Sequence, residues 1–424
     1  MTIMSKIATS LVSMVGFSAV KGAKKNSPEV HKFFPGKKVH SPGISNVTAP
    51  SLDKRKVMVI SGAGGMTART PIMKFMQEGY IVMGLTSNKE MLKLNQPGIH
   101  YILVDRNKIS SPEYIQKVVE KGFADLGMTT ISEVVALNLI GGAVAPKGST
   151  LKKLNRDLPI AFFEGVKQVA EDRADKVSLI HISSLAATIN GDNPQCEYAQ
   201  IKKEVDETIL QMRVKQGNIL ILRPGIILPD ATPEGRVDMG HDYSPEQFAN
   251  MPIVPILGSG NQIQQPVHEQ CLYEAAVNGA KSDESLVKIV DAVGADVLTQ
   301  KEMFIQFCSK GNLVFVHIPY EVAEPIADHF PLGRIAPYSI QLFKTLDSNP
   351  EKNRPIDRQE FEKILGRKPK GFYEVYNQPV VGGKAPIVKH VSIIGANTLR
   401  DPRKGFALFR GFIKSLNKWS FSKK

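Results

Sequence analysis

Residues 57–69 read VMVISGAGGMTAR, and this stretch decides the fold of the chain. Its apolar run is typical of a buried β-strand, and the run ends in a glycine turn that leads into a helix. Gly62 can adopt the tight turn, and Gly65 has no Cβ to keep a ligand from the backbone amides. This layout is typical of a site for the pyrophosphate of a dinucleotide. The residues expected to line the site are Gly62, Gly64, Gly65, Met66, Ala68 and Arg69.

Strand-like and helix-like segments alternate from Lys56 to about Gly225, as a parallel, doubly wound sheet requires. The predicted fold class is α/β, a Rossmann-type sheet with a smaller C-terminal lobe. The predicted strands are 57–61, 81–86, 101–105, 133–138, 177–183 and 219–223, and the predicted helices are 68–77, 112–121, 154–174 and 198–215. The lobe is predicted to contain helices at 269–278 and 299–309, strands at 287–291 and 313–318, and a mostly helical stretch at 319–376.

A chain of 424 residues can bury a large core and form more than one domain. Changes in composition predict a basic leader and linker at 1–55, a dinucleotide-binding domain at 56–225, a mixed α/β substrate lobe at 226–380 and a basic tail at 381–424. The lobe is expected against the carboxyl ends of the strands, where ligands of such sheets bind. The three cysteines, Cys196, Cys271 and Cys308, lie far apart in the sequence. They predict neither a disulfide framework nor a metal site.

Much of the net charge of +13 lies at the two ends of the chain. Residues 3–20 are apolar with small hydroxyl residues, which suits a signal segment, an organellar presequence or an amphipathic surface helix. The compartment, cytoplasm or an organelle, therefore stays open. In the tail, Phe406, Phe409, Ile413 and Leu416 recur at helical spacing among basic residues. This pattern suits a peripheral helix on an anionic membrane surface or a helix docked on its own protein. No apolar run approaches about 20 residues, so a membrane span is not expected.

Tyr198 and Lys202 lie four residues apart, so a helix presents both side chains on one face. A lysine ammonium beside the phenol is expected to lower the pKa of the phenol from about 10, so that it exchanges a proton with a substrate near neutral pH. Ser184 follows a predicted strand one loop before this helix, where its hydroxyl can bind the same substrate oxygen. Single YxxxK pairs and turn serines are common, so the hypothesis depends on the position of all three residues.

Asn138 ends the fourth predicted strand at the carboxyl edge of the sheet. An amide there can fix a strand carbonyl or a water beside the nicotinamide of a bound dinucleotide. An ordinary turn asparagine before Gly141 and Gly142 is the alternative.

These features together resemble the short-chain dehydrogenase/reductase superfamily, in its extended or atypical branches. The resemblance covers about residues 56–280 and includes Leu222-Arg223-Pro224-Gly225 after the sixth strand. It implies a bound nicotinamide dinucleotide, with Asp105 at the adenine, Asn138 and Pro224 near the cofactor, and Ser184, Tyr198 and Lys202 as the catalytic set. Leu185 and Ala186 follow Ser184 where sugar-nucleotide dehydratases of the superfamily carry acidic residues. Dehydration is therefore not expected.

The end of the second predicted strand bears on the choice between NADP and NAD. An acidic residue there would bind the adenosine ribose diol and repel a 2′-phosphate. Here the strand ends in Thr86-Ser87-Asn88-Lys89, and Arg69 follows the glycine turn. Hydroxyls, an amide and two cations favour the phosphate through charge-assisted contacts. We therefore expect NADP, with NAD as the alternative, and we expect Ser87, Lys89 and Arg69 near the phosphate.

The favoured function is an NADP-dependent oxidoreductase that moves a hydride between the nicotinamide and a small-molecule substrate that the sequence does not identify. The alternative is a non-catalytic role, because Asn138-Leu139-Ile140-Gly141 and the serine-to-tyrosine stretch are also similar to the NADPH-binding accessory subunit of respiratory complex I. Ser184, Tyr198 and Lys202 favour the enzyme, and the basic ends favour a membrane-associated accessory role. Nucleic-acid binding is not expected, because no zinc finger, recognition helix or interleaved aromatic motif accompanies the charge.

Overall fold

A computed structural model describes residues 55–93, 97–142, 145, 148–228, 253–307, 313–321, 323–324, 337–375 and 388–392. The central strands are β1 (Arg55–Ser61), β2 (Tyr80–Thr86), β3 (Ile99–Leu103), β4 (Ile131–Asn138), β5 (Ala174–Ile182), β6 (Ile219–Pro224) and β11 (Val287–Ala292). They form one sheet in the order β11-β6-β5-β4-β1-β2-β3, in which all neighbouring strands are parallel. The chain therefore starts near the middle of the sheet, builds one half and returns to build the other. This doubly wound order confirms the predicted Rossmann-type fold.

Helices cover both faces of this sheet. They are α1 (Arg69–Gln77), α2 (Pro112–Asp125), α3 (Leu158–Glu171), α4 (Ala186–Asn190), α5 (Glu197–Leu210), α6 (Glu269–Lys281), α7 (Gln300–Phe307), α8 (Pro337–Ser348), α9 (Gln359–Leu365) and α10 (Phe372–Val375). Short 3-10 helices lie at Met66–Ala68 and Lys89–Lys93, and a π-helix at Lys153–Asp157 precedes α3.

The two faces of β1 explain why its sequence is apolar without alternation. Val57 and Val59 pack in a core with α2, α3 and α5, whereas Met58 and Ile60 pack in a second core with α1, α6 and α9. All four side chains are fully buried. A parallel strand covered on both faces is apolar at every position, which is the pattern that predicted β1.

Local sequence determines where several elements begin and end. Ser111 caps α2 by accepting a hydrogen bond from the Tyr114 amide at 3.2 Å, and Pro112 occupies the first helical position. After α1, Gly79 has φ +82°, a conformation that favours glycine, and it turns the chain into β2. Helix and strand ends in this region therefore follow from individual capping and turn residues.

One strand differs from the expected domain organisation. The predicted strand at 287–291 was expected in the C-terminal lobe, but β11 pairs in parallel with β6 and is the seventh strand of the central sheet. Helix α6 precedes β11 in the chain and packs on the same sheet. Sequence beyond residue 225 therefore completes the Rossmann unit. The boundary at 225 therefore does not coincide with the end of the sheet.

The remaining strands belong to smaller sheets. They are β7 (Ile227–Leu228), β8 (Ile253–Leu257), β9 (Ile263–Gln264), β10 (Val267–His268), β12 (Leu298–Thr299), β13 (Leu313–Ile318) and β14 (Val388–Ser392). The largest of these sheets is a parallel one in the order β14-β13-β8, and residues of α8 pack against the ends of β8 and β13. Strands β8 and β13 of this sheet belong to the predicted lobe, whereas β14 comes from the segment predicted as the basic tail.

Candidate functional site

The glycine turn after β1 lies at the carboxyl edge of the central sheet. Gly62 has φ +73°, and its carbonyl accepts a hydrogen bond from the Gly65 amide at 2.8 Å. Gly64 and Gly65 are exposed, whereas Ala68 is buried where the following helix packs on the sheet. The 3-10 helix beginning at Met66 runs directly into α1. The backbone of the turn is therefore accessible at the positive end of a helix, as anion binding requires.

The end of β2 lies beside the glycine turn. A Cβ added to Gly64 would lie 2.9 Å from Thr86 Oγ1, so a side chain at that position would collide with the strand end. Ser87 is partly buried, and Lys89 and Arg69 are exposed on the same edge. The three residues expected near an adenosine phosphate are thus placed around the turn.

Arg106 also lies at this strand end, although sequence patterns do not identify it. Thr86 pairs with Leu103 of β3, and the Val104 amide donates to the Thr86 carbonyl at 2.9 Å. This register brings the loop after β3 against Ser87, whose Oγ accepts a hydrogen bond from Arg106 Nε at 2.8 Å. Because the hydroxyl accepts from Arg106, its own proton remains available to a ligand.

Asp105 lies in the same loop, after the end of β3, and its side chain is exposed. Its carboxylate accepts from the Asn107 amide at 2.9 Å, and its own amide donates to the Tyr114 hydroxyl at 2.8 Å. These contacts hold the loop in place at the edge where the resemblance places an adenine.

Asn138 is fully buried at the end of β4 and joins three strand ends. Its Oδ1 accepts from Ser61 Oγ at 2.5 Å, and its Nδ2 donates to the Ile140 carbonyl at 3.1 Å. Nδ2 also lies 3.2 Å from Nδ1 of His181. The Ile140 amide also donates to Asn138 Oδ1 at 3.3 Å, so the side chain makes the local contacts of the turn asparagine that was the alternative, and it ties β1, β4 and β5 together as well.

Ser184 and Tyr198 lie together beyond the end of β5. Ser184 shares a hydrogen bond with the Tyr198 phenol, and its Oγ also accepts from the Ala186 amide at 3.2 Å in the turn before α4. The Pro224 carbonyl accepts from the Leu185 amide at 2.8 Å, which ties the end of β6 to this loop. The serine thus makes both the local contact of a turn former and the contact expected of a catalytic partner.

The pKa of Tyr198 departs from the expectation of a lowered value. Burial of the phenol raises its pKa to about 12, and the hydrogen bond with Ser184 opposes this only in part. The Lys202 ammonium lies 5.9 Å from the centre of the tyrosine ring. The prediction of a lowered pKa was wrong for the chain alone, because desolvation of the phenolate, with Asp206 and Cys196 nearby, raises the pKa more than the Ser184 hydrogen bond lowers it.

Lys202 is only 2% exposed, and burial lowers its pKa from 10.5 to about 8. A Cβ on Gly141 would lie 2.9 Å from Lys202 Nζ and 3.2 Å from Asn155 Oδ1, so the ammonium and this amide flank the same glycine. Asn155 is fully buried in the π-helix, and it accepts from the Gly142 amide at 2.9 Å and donates to the Gly142 carbonyl at 2.8 Å. The sequence predicts an ordinary helix here, and a π-helix at a buried polar residue often marks a functional site.

Residues after β4 lie between the glycine turn and the candidate catalytic residues. A Cβ on Gly62 would touch Ile140 at 3.5 Å, and Gly141, the next residue, lies against Lys202. Lys202 in turn lies behind Tyr198 on the same helix. The residues expected at opposite ends of one dinucleotide therefore lie along one edge of the sheet.

Other expectations concern metals, thiols and the ends of the chain. Within the described ranges, no group of three or more histidine, cysteine or acidic side chains is arranged to hold a metal ion, and no helix is long and apolar enough to cross a membrane. Cys196 and Cys271 are buried free thiols. Cys308, the predicted leader and the predicted C-terminal helix lie outside the described residues.

Comparison with known proteins shows similarity at the level of structure. No protein-family model matches the sequence, and no curated protein matches it. Pal from Bacillus thuringiensis aligns over 77% of this chain and 96% of its own, with 13% identity and a TM-score of 0.51. UDP-glucose 4-epimerase from Thermotoga maritima aligns over 77% and 97%, with 12% identity and a TM-score of 0.51.

UDP-glucuronic acid 4-epimerase from Bacillus cereus, solved with UDP-glucuronic acid and NAD, aligns over 76% of this chain and 98% of its own, with 15% identity and a TM-score of 0.50. At such identities a structural match establishes the fold and leaves function to the site. The chain therefore has the same fold as these epimerases, and the fold predicted from the sequence is confirmed.

Proposed function

We propose that this chain is an NADP-dependent oxidoreductase of the short-chain dehydrogenase type. The observation that carries the proposal is the assembly of Ser184, Tyr198 and Lys202 in a buried site next to the residues that follow β4. In this site Tyr198 exchanges a proton with the substrate oxygen, Ser184 polarises that oxygen and Lys202 holds the ribose next to the nicotinamide.

The residues along the sheet edge fit a nicotinamide dinucleotide. The accessible glycine turn suits the pyrophosphate, and the edge beyond Asn138 suits the nicotinamide end. Solved structures of the same fold support this cofactor class, since the Bacillus cereus epimerase was solved with NAD. When bound, the dinucleotide supplies a ring that accepts or donates a hydride.

The charges at the end of β2 favour NADP over NAD. Ser87 and Arg106 present a hydroxyl and a guanidinium that are already hydrogen-bonded to each other, and Lys89 and Arg69 add two exposed cations. A carboxylate that would bind the adenosine ribose diol is missing from residues 86–89. A 2′-phosphate at this position would gain charge-assisted hydrogen bonds.

In the oxidative direction, the hydroxyl proton of the substrate would pass to Tyr198, and a bound nicotinamide would accept the electron pair of the substrate C–H bond as hydride. The carbonyl forms as the proton leaves, so charge and electrons balance. Because the phenol of the chain alone has a pKa near 12, Tyr198 begins this step only after nearby positive charge stabilises its phenolate. Lys202 is already part of the chain alone, so the additional charge would come from a bound oxidised cofactor.

The deciding experiment combines cofactor titration with a tyrosine variant. Purified wild-type protein is titrated with NADPH by fluorescence, and a panel of carbonyl and hydroxyl compounds is screened for an absorbance change of the cofactor. Tyr198→Phe is expected to abolish turnover while NADPH affinity stays within about twofold, because the variant loses only the exchangeable proton. Tyr80→Phe is the control, because Tyr80 is a buried tyrosine at the opposite edge of the sheet.

Each outcome decides between the functions. Full turnover by Tyr198→Phe would exclude the proposed mechanism. Tight NADPH binding without turnover of any compound would favour the non-catalytic accessory role. Wild-type protein that binds neither NADPH nor NADH would contradict both.

A further inference from the structure

Helix α5 carries a third buried polar residue in line with the catalytic pair. Tyr198, Lys202 and Asp206 follow one another at intervals of four residues, so their side chains lie on one face of the helix. Asp206 is fully buried, and the proposed reaction does not use it. A buried carboxylate needs a compensating charge, so its neighbours indicate its role.

One oxygen of Asp206 is held by an arginine from the neighbouring strand β6. Asp206 Oδ2 accepts a hydrogen bond from Arg223 Nε at 2.7 Å. Arg223 also donates from Nη1 to Thr188 Oγ1 at 3.2 Å, and Thr188 donates to Asp291 of β11 at 2.7 Å. The guanidinium is therefore fixed by α4, α5 and β11 and cannot easily leave the carboxylate.

The other oxygen of Asp206 faces β5. Asp206 Oδ1 lies 3.8 Å from His181 Nε2, too far for a hydrogen bond. An amide nitrogen only donates, so the contact between Asn138 Nδ2 and His181 Nδ1 makes Nδ1 the acceptor and leaves the proton on Nε2. Burial, with Lys202 and Arg223 nearby, lowers the pKa of His181 well below its usual value, so the ring is neutral. The Ser183 hydroxyl is the remaining polar group facing this carboxylate.

Arg223 is therefore paired with this carboxylate, whereas Lys202 lies one helical turn away on the same buried face of α5 and forms no direct ion pair with it. On the side away from Asp206, Lys202 faces the Tyr198 ring, Gly141 and the Asn155 amide, none of which carries a negative charge. Asp206 is the carboxylate that raises the pKa of Lys202 against the effect of burial. Without the charge of Asp206, burial would lower the pKa of Lys202 further.

We propose that Asp206 is a positioning residue whose carboxylate, anchored by Arg223 one helical turn from Lys202, is the buried negative charge that stabilises the Lys202 ammonium behind Tyr198. The proposal rests on the proposed function only for the use that the enzyme makes of Lys202. A purely structural role, in which Asp206 only ties α5 to β6, is the competing explanation.

The two explanations predict opposite changes in the titration of Lys202. Asp206→Asn keeps an oxygen for Arg223 and removes the charge. If the charge of Asp206 stabilises the ammonium, Lys202 loses its proton at a lower pH in this variant. If Asp206 only holds the helix, its replacement loosens the site, admits water and moves the pKa of Lys202 up towards the ordinary lysine value of about 10.4.

The titration can be measured without cofactor or substrate by competitive acetylation with isotope-coded acetic anhydride, since only the neutral amine reacts. Fragment spectra separate Lys202 from the neighbouring Lys203, and the exposed Lys215 is an internal reference. We expect a midpoint near pH 8 for wild-type Lys202. In Asp206→Asn we expect it lower by roughly one unit, which means roughly tenfold faster labelling at pH 7. Glu207→Gln, an exposed carboxylate on the same helix, should leave it unchanged.

An unchanged or raised midpoint in Asp206→Asn overturns the proposal. If this variant does not fold, the double variant Lys202→Met/Asp206→Asn decides, because removing both charges should restore folded protein. Failure of the double variant alongside a folded Lys202→Met chain also overturns the proposal. NADPH titration of the same samples tests the proposed function separately, since acetylation of Lys202 does not depend on it.

Discussion

Lys202 is expected to lower the stability of the fold that presents it. Its pKa is 10.5 in the unfolded chain and about 8 in the folded one, so between these values the unfolded state binds more protons and the free energy of unfolding rises with pH. At pH 7 the whole penalty applies, up to about 3 kcal/mol. We expect Lys202→Met to raise the free energy of unfolding by about 1–2 kcal/mol at pH 7, because Arg223 still pairs with Asp206.

Urea unfolding at several pH values measures this effect. The difference in free energy of unfolding between Lys202→Met and wild type should shrink between pH 8 and pH 10.5. In this range the wild-type lysine is already neutral in the folded chain but still protonated in the unfolded chain. Lys215→Met, at an exposed position just beyond the same helix, is the control and should show no such trend. A variant less stable than wild type at pH 7 would contradict the expected penalty.

Arg106 is expected to determine the preference for a phosphorylated cofactor. Arg106→Ala removes the guanidinium that donates to Ser87, so NADPH affinity should fall by about tenfold to a hundredfold while NADH affinity stays the same. Fluorescence titration with both nucleotides measures the two dissociation constants. Lys108→Ala, which removes an exposed cation from the same loop, should change neither constant by more than about twofold. Equal losses for both nucleotides would show that Arg106 does not read the phosphate.

Residues of the site differ in how far the sequence reveals them. Tyr198 and Lys202 are found from spacing, because four residues on a helix always share a face. Arg106 and Asn155 are not, because their positions depend on the register of β2 with β3 and on a π-helix that sequence periodicity does not show. The pKa of Tyr198 was also missed, since burial depends on the packed structure.

At the scale of elements, the expected role of the glycine turn in cofactor binding can be distinguished from the strain that any substitution at a positive φ causes. Gly62 and Gly79 both have positive φ, and a Cβ on Gly62 would meet only ordinary contacts at 3.5 Å, whereas one on Gly79 would meet nothing within 4 Å. Alanine at either position should therefore lower the free energy of unfolding by a similar amount, about 1–2 kcal/mol. Gly62→Ala should also weaken NADPH binding by at least about tenfold, because the turn must shift.

Thermal unfolding and NADPH titration of the two glycine variants test this distinction. Gly79 lies between α1 and β2, away from the turn, so Gly79→Ala should keep wild-type affinity at 25 °C. Equal affinity in both variants would mean that the turn does not bind the cofactor.

Elements with strong local patterns were predicted well. The first six strands lie within a few residues of their expected ranges, because each is an apolar run that ends at a turn. The sequence could not place β11, since a short run with exposed Val287 and Lys288 carries no information about which sheet it joins. That choice depends on α6 and β6, which are distant in the sequence.

At the scale of the whole molecule, the core crosses the predicted domain boundary at residue 225. Leu272 of α6, Val290 of β11 and Phe361 of α9 are buried in the same cluster as Met58 and Ile60 of β1. A fragment of residues 55–225 would expose this apolar face and the hydrogen-bonding edge of β6. We therefore expect the fragment to show no cooperative thermal transition by circular dichroism and no NADPH binding.

A longer fragment is the matched control for this prediction. Residues 55–392 keep α6, β11 and α9, together with the β14-β13-β8 sheet, so this fragment should unfold cooperatively and bind NADPH within about threefold of the full chain. If the 55–225 fragment instead melts in one sharp transition, the sheet is stable without its seventh strand. In that case the cluster around Leu272 and Phe361 contributes little to the stability of the nucleotide-binding unit, and the boundary predicted from the sequence is a true domain boundary.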